Sequence, residues 1–326
     1  MHRSVSTGAL IALLASGCSY TPLTVTRLAP AELDIATGKA VAVTTIAGAG
    51  GETLATALTE ALVATGRFQV LERRRLEPVM AELRFSAAGH VSDESAMSFG
   101  EMTGAALLVV GEVGTADYKE QLKAEVQQCT KDGKTAECTV NTRTARYALR
   151  VSLEVVETES GRVVGARTLA AEKVQEAKAT DAEPPPLEAE PTLSAECRAE
   201  VVAAFSRMVA PHKVQVTVFL RTDDALPELE AGNVQAQIGN WTSAIEQYQS
   251  AVAKGTQQAL PREVQAMAHY NLGIGYGYSG AYQQGLEALE QAITLDPDPR
   301  YREQLSVVRG FQEDAARLAK QTGAAP

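Results

Sequence analysis

Apolar and polar positions change period several times along the chain, and each change marks an element. Lys39-Ala40-Val41-Ala42-Val43-Thr44-Thr45-Ile46 reads as a buried strand, because small and β-branched residues follow one another. Gly48-Ala49-Gly50-Gly51 then turns the chain. Leu54, Leu58, Ala61 and Leu62 recur at helical spacing between Glu52 and Thr65, and Gly66 supplies a helix stop. Phe68 to Leu71 reads as a second strand, and Glu72-Arg73-Arg74-Arg75-Leu76 opens a helix reaching about Arg84. A polar loop over Ser86 to Ser92, a helix over 93–103 and an apolar strand from Ala105 to Val113 follow. Strands alternating with helices predict a layered α/β sheet.

Beyond Val113 the pattern changes. Tyr147 to Val156 alternates, Glu159-Ser160-Gly161-Arg162 turns, and Val163 to Ala170 pairs back, so a β-hairpin with one polar face is expected. Residues 176–192 hold Pro184-Pro185-Pro186 among Glu and Ala and read as an extended spacer. A helix over 194–210 and a short strand from Val214 to Leu220 complete an α/β domain over 39–221. Residues 222–326 read as all-α.

The first residues follow another rule. Arg3, an apolar run from Ala9 to Ala15 and the small residues before Cys18 form a secretory signal peptide over 1–17. Leu14-Ala15-Ser16-Gly17-Cys18 resembles the lipobox of bacterial lipoproteins, which implies cleavage before Cys18 and acylation of its sulfur and new amino terminus. Several acyl chains meet the two-signal requirement for stable anchoring, while the apolar run is too short to span a bilayer. Residues 18–38 then read as the lipidated N-terminus and an irregular linker. Ser19 stands where Asp would resemble an inner-membrane retention signal, so the expected location is the outer membrane, facing the periplasm.

Composition narrows the partners. A formal charge of −10 is unsuited to phosphate neutralisation, so no nucleic-acid partner is expected, and the membrane is reached through lipid. Cys129 and Cys138 flank the turn Lys131 to Lys134, and a disulfide between them suits an oxidising periplasm. Cys197, on an expected helix, reads as a buried small hydrophobe. The glycine turn at 48–51 lacks the Gly-Lys-Ser/Thr ending of a phosphate loop, and His2, His90, His212 and His269 show no metal spacing. No nucleophile elbow or acid/base pair stands out, so no cofactor, metal, small-molecule substrate or enzymatic activity is expected.

Two resemblances give these pieces a context. Val41-Ala42-Val43, Leu62 with Gly66-Arg67-Phe68, Val70-Leu71-Glu72-Arg73, Phe99-Gly100, Gly104-Ala105 and Glu157 to Val164 occur in order. This order, over roughly 39–220, resembles the curli secretion lipoprotein (CsgG) family and the related lipoproteins that activate penicillin-binding proteins. The resemblance implies a non-enzymatic domain working through protein contacts, with an envelope protein partner or a homo-oligomer. The curli channel places hairpins in a shared membrane barrel, which needs an outward apolar face. Lys119 to Thr144 is crowded with Lys, Glu, Gln, Asp and Thr instead, so a subunit of such a secretion channel stands as the alternative reading.

Residues 226–318 carry tetratricopeptide-repeat (TPR) spacing. One unit holds Gly232, Gly239-Asn240-Trp241, Ala244, Tyr248 and Ala251; the next holds Leu272-Gly273, Tyr276, Gly280-Ala281-Tyr282, Leu289, Ala292 and Pro297. Ala244 and Gly285 lie 41 residues apart, beyond the period of about 34, and the excess is expected in a loop from Lys254 to Val264. Trp241, Tyr248, Tyr270 and Tyr276 read as repeat core, and Arg300 to Lys320 as a capping helix. Tyr278 and Gln283 are not demanded by the repeat and are the candidate partner-binding residues.

Overall fold

The computed structural model describes residues 20–35, 39–72, 76, 78–79, 92–131, 133–187 and 189–323. In chain order the elements are β1 (Tyr20–Ala29), β2 (Ala40–Ala47), α1 (Gly51–Ala64), β3 (Gln69–Val70), α2 (Asp93–Thr103), β4 (Leu107–Lys131), β5 (Lys134–Glu157), β6 (Val163–Thr180) and α3 (Ala189–Val209). There follow β7 (His212–Arg221), α4 (Pro227–Gln237), α5 (Trp241–Gln257), α6 (Arg262–Ser279), α7 (Tyr282–Leu295) and α8 (Pro299–Thr322). Two compact units result: residues 29–212 with 317–323, and residues 20–28 with 213–316.

The first unit is built on a mixed sheet of order β3-β2-β4-β5-β6. β2 pairs in parallel with β3 and β4, and β4, β5 and β6 pair antiparallel. One face packs Leu54, Leu58 and Leu62 of α1 and Val201, Phe205 and Met208 of α3 against Val109, Val151, Leu153 and Val155. The other face packs Phe99 of α2 against Ala42, Leu108 and Val110. Both faces of β2 are thus covered, which is why its sequence is apolar throughout. The turn from β2 into α1 is tight: Gly48 has φ +90°, and a Cβ there would lie 2.4 Å from the Val113 carbonyl oxygen. At the other end of the chain, Gln321 accepts from the Ala31 amide (2.9 Å) and donates to the Ala31 carbonyl (3.0 Å).

The second unit is helical, with β1 and β7 paired along it. Consecutive helices pack in the order α4 on α5, α5 on α6 and α6 on α7. α8 joins through Tyr301, Val308 and Phe311, which meet Tyr270, Gly277 and Tyr278 of α6. Gly232 allows α4 to approach α5 closely, since a Cβ there would lie 2.3 Å from the Tyr248 ring. The core also holds a polar network. The Tyr248 hydroxyl donates to Asn233 Oδ1 (2.8 Å), and the Asn271 amide donates to Asn233 Oδ1 (3.0 Å) and to the Arg221 carbonyl (2.9 Å). Asn271 Oδ1 accepts from the Arg221 amide at 2.8 Å.

Several expectations change. Residues 20–29 form β1 rather than an irregular linker, because Leu23 is buried with Val218 and Leu220 of β7 in the helical core. The contacts therefore place the boundary after His212, where the sequence pattern places it after Arg221. β6 runs to Thr180 and α3 starts at Ala189, so much of the expected spacer over 176–192 is regular structure. The loop expected from Lys254 to Val264 shrinks to the residues between Gln257 and Arg262, because the flanking helices extend into it. α2 falls where its pattern predicts. The expected helix start at 72–76 and the loop at 86–92 lie largely outside the described residues.

Candidate interaction surfaces

β4, β5 and β6 are longer than the core they serve. Pairing runs from Leu107 opposite Glu157 to Lys131 opposite Lys134, and β6 follows β5 as far as Val140 opposite Thr180. The register shifts between Val113 and Thr115, so Gly114 is an extra residue in β4. A bulge of this kind bends a strand and re-aims its side chains. Before it, Val113 faces the α1 and α3 side; after it, Ala116 and Tyr118 face that side with Leu149 and Tyr147 opposite. At about 3.3 Å per residue, the ribbon beyond the bulge extends on the order of 50 Å. It is a three-stranded arm that ends as a two-stranded tip.

α3 covers only the base of this arm. Ala189 and Leu193 pack on Ala145, flanked by Tyr118 and Tyr147. Arg143 closes the covered zone, 2.7 Å from Glu120 and 2.8 Å from Glu183. Tyr118 donates to Glu120 at 2.9 Å. These hydrogen bonds, Arg143 first, hold the Glu120 carboxyl below its ordinary value against a smaller opposing effect of desolvation.

Farther out the register separates two faces. One carries Leu122, Ala124 and Val126 opposite Arg143, Asn141 and Thr139. Leu122 and Val126 are 56% and 70% exposed. The other carries Lys119, Lys123, Glu125 and Arg146, with Glu172 and Lys178 on β6. Neither face forms a continuous apolar band, in line with the polar character read for Lys119 to Thr144. Cys129 lies opposite Ala136 and Cys138 opposite Gln127, so the two cysteines are diagonal neighbours on one face. They are joined as a disulfide with Cα atoms 6.0 Å apart.

The Tyr278 ring packs 5.8 Å from Trp241 and edge-on to Phe311 at 5.1 Å, and burial pushes its hydroxyl up to about 12. That hydroxyl has no hydrogen-bond partner among the described residues. Gln283 is exposed on α7 and donates to Glu287 at 3.0 Å. Tyr248 and Tyr270 are buried in the helical core, with Trp241 and Tyr276 packed against it. Cys197 is fully buried in α3, and desolvation pushes its thiol up. Cys18 lies outside the described residues. Among the described residues no group of three or more His, Cys, Asp or Glu could hold a metal ion, and no helix is long and apolar enough to cross a membrane.

The sequence model of the family described as "Curli production assembly/transport component CsgG" matches residues 32–182. The match takes in the mixed sheet and all three strands of the arm. It starts before and stops short of the 39–220 span on which the sequence resemblance rests. Among solved structures, the PelC dodecamer from Paraburkholderia phytofirmans is similar at 17% identity over 58% of this chain and 99% of its own, with a TM-score of 0.30. The LpoB C-terminal domain from Salmonella enterica is similar at 12% identity over 42% of this chain and 84% of its own, with a TM-score of 0.27. Comparison with curated proteins gives no match.

Proposed function

We propose that this chain is a non-enzymatic assembly or secretion component of the cell envelope, held at the outer membrane by lipid on Cys18 and facing the periplasm. The observation that carries the reading is the CsgG family match over residues 32–182, which contains the arm. A long ribbon with exposed side chains on both faces offers surface for protein partners. The helical unit serves as a TPR-like recruiting module. Its successive helix pairs, the close approach at Gly232 and the capping position of α8 support that role. Tyr278 and Gln283 are the proposed contacts of this module.

A CsgG-type channel subunit is the second reading, favoured by the length of the arm alone. A membrane-spanning arm would need an apolar band on its outward face, and Lys119, Lys123, Glu125 and Arg146 occupy one face while Arg143 and Asn141 interrupt the other.

Crosslinking in intact envelopes separates the two. Recovery of a wall-synthesis or export protein, lost when the chain is truncated after Arg221, supports a recruiting lipoprotein. Recovery of large rings of this chain that conduct ions in planar bilayers supports the channel. A cytoplasmic chain without acyl groups overturns both.

A further inference from the structure

β1 lies in the helical unit as an added strand. It pairs with β7 alone and has no strand on its second edge among the described residues. Of residues 20–28 only Leu23 is buried, in one cluster with Val218 and Leu220 of β7, while Pro22, Thr24, Thr26 and Leu28 are exposed. Three more side chains reach the unit. The Tyr20 ring centre lies 4.5 Å from the Arg221 guanidinium and 4.8 Å from that of Arg300. Val25 packs against the helical core. Arg27 stacks 4.0 Å from the Phe311 ring centre and donates to Asp314 at 2.8 Å.

β7 is held independently of this strand. Val218 and Leu220 are fully buried, and Asn271 engages both the amide and the carbonyl of Arg221. The Tyr270 hydroxyl donates to the Phe219 carbonyl at 3.1 Å, and residues 222–226 tie β7 directly to α4. β1 has no such tie, because 193 residues separate Thr24 from its neighbour Thr217. Removing β1 therefore leaves a formed strand edge, an apolar slot where Leu23 sat, and charged groups of opposite sign at the two ends of the slot. A free strand edge is a template for a further strand.

We propose that the edge of β7 is a docking site which β1 fills in cis, and that an extended segment of another protein takes the place of β1 by strand addition. The strand now in place defines the segment that fits. It carries an aromatic residue for Arg221 and Arg300, an apolar residue at the Leu23 place, a β-branched residue at the Val25 place and Arg or Lys at the Arg27 place. Main-chain hydrogen bonds supply the affinity of such an addition, and the alternate side chains set its specificity. Asp314 demands the basic residue, because a half-buried carboxylate beside the Phe311 ring is costly to leave unpaired. The apparent affinity falls with the fraction of chains in which β1 is seated. This inference rests neither on the reading of the arm nor on lipid at Cys18.

Fluorescence anisotropy of a labelled peptide with the sequence of residues 20–29, titrated with the full chain, tests it. The Thr24 and Thr217 hydroxyls lie 3.2 Å apart, so Thr24→Cys with Thr217→Cys supplies a lock whose closure is checked by mass. The peptide is expected to bind the natural chain and the reduced double variant, and to lose its binding when the lock is oxidised. The peptide variant Arg27→Glu should bind the natural chain roughly tenfold more weakly or worse, because like charges then meet at Asp314. That comparison needs only the natural chain and stands if the double variant does not fold. Amide exchange in residues 20–28 should also be faster than in α6. No binding of the peptide, equal binding by the locked chain, equal binding of the two peptides, or exchange in residues 20–28 as slow as in α6 overturns the proposal. Cysteine links formed between copies instead of within one assign the edge to a second copy and overturn it as well.

Discussion

Asn271 shows how much one polar residue can organise in a helical core. Its side chain satisfies both the amide and the carbonyl of Arg221 and joins Asn233 and Tyr248. Asn271→Ala leaves the buried Arg221 amide without a partner, while the Arg221 carbonyl keeps Asn233 (3.1 Å), and is expected to lower the unfolding free energy of the helical unit by about 2 kcal/mol, measured by urea denaturation. Nothing in the repeat spacing pointed to Asn233 or Asn271, because their partners lie on a strand that the pattern assigns to another domain. The tyrosine core positions were legible, because bulky rings at helical spacing in a helical segment are buried whatever the details. Tyr278 was only half legible: its spacing sets it off from the repeat, yet its ring is packed by Phe311 from α8.

At the scale of elements, the apolar strands β2 and the start of β4, and helix α2, follow from local pattern, since burial on one or two sides imposes a period. The arm does not, because most of its residues beyond Val113 are not buried and no period is imposed on them. Its strands are held by the ladder of backbone hydrogen bonds and pinned at the tip by Cys129 and Cys138. Replacing both cysteines by Ala is expected to speed amide exchange in residues 122–140 while leaving the main thermal transition in place, because the tip has no contact with either hydrophobic face of the sheet. The base of the arm has its own lock in Arg143 and Glu120. The Glu120 value is lowered in the folded chain, so its contribution is complete above the ordinary 4.5 and is lost as the pH falls through the lowered value. An NMR titration of the Glu120 carboxyl should therefore show a midpoint below 4.5, and Arg143→Gln should return it towards 4.5.

At the scale of the molecule, the sheet unit holds hydrophobic clusters on both faces of its sheet and the helical unit has one of its own, and the family match falls within the sheet unit. Attachment to the envelope is expected to depend on neither unit. On the proposed reading, in which sulfur acylation supplies the anchor, Cys18→Ser should move the chain from the membrane fraction to the soluble periplasmic fraction, read by fractionation and acyl labelling. Retention of the serine variant in the membrane would assign attachment to the folded units.

The alternation of strand and helix, the all-helical character of the second half and the cysteine pair were legible as local signals, because each arises from neighbours in sequence through burial period, turn chemistry or spacing. Three features needed the fold. β1 and β7 lie nearly two hundred residues apart in sequence and become one ladder only when Leu23, Val218 and Leu220 share a core. The length of the arm rests on hydrogen bonds between strands, to which solvent-facing side chains leave no apolar signature. A cavity lined by Arg221 gathers residues from β1, β7, α6 and α8 and exists only once packing has brought these elements together.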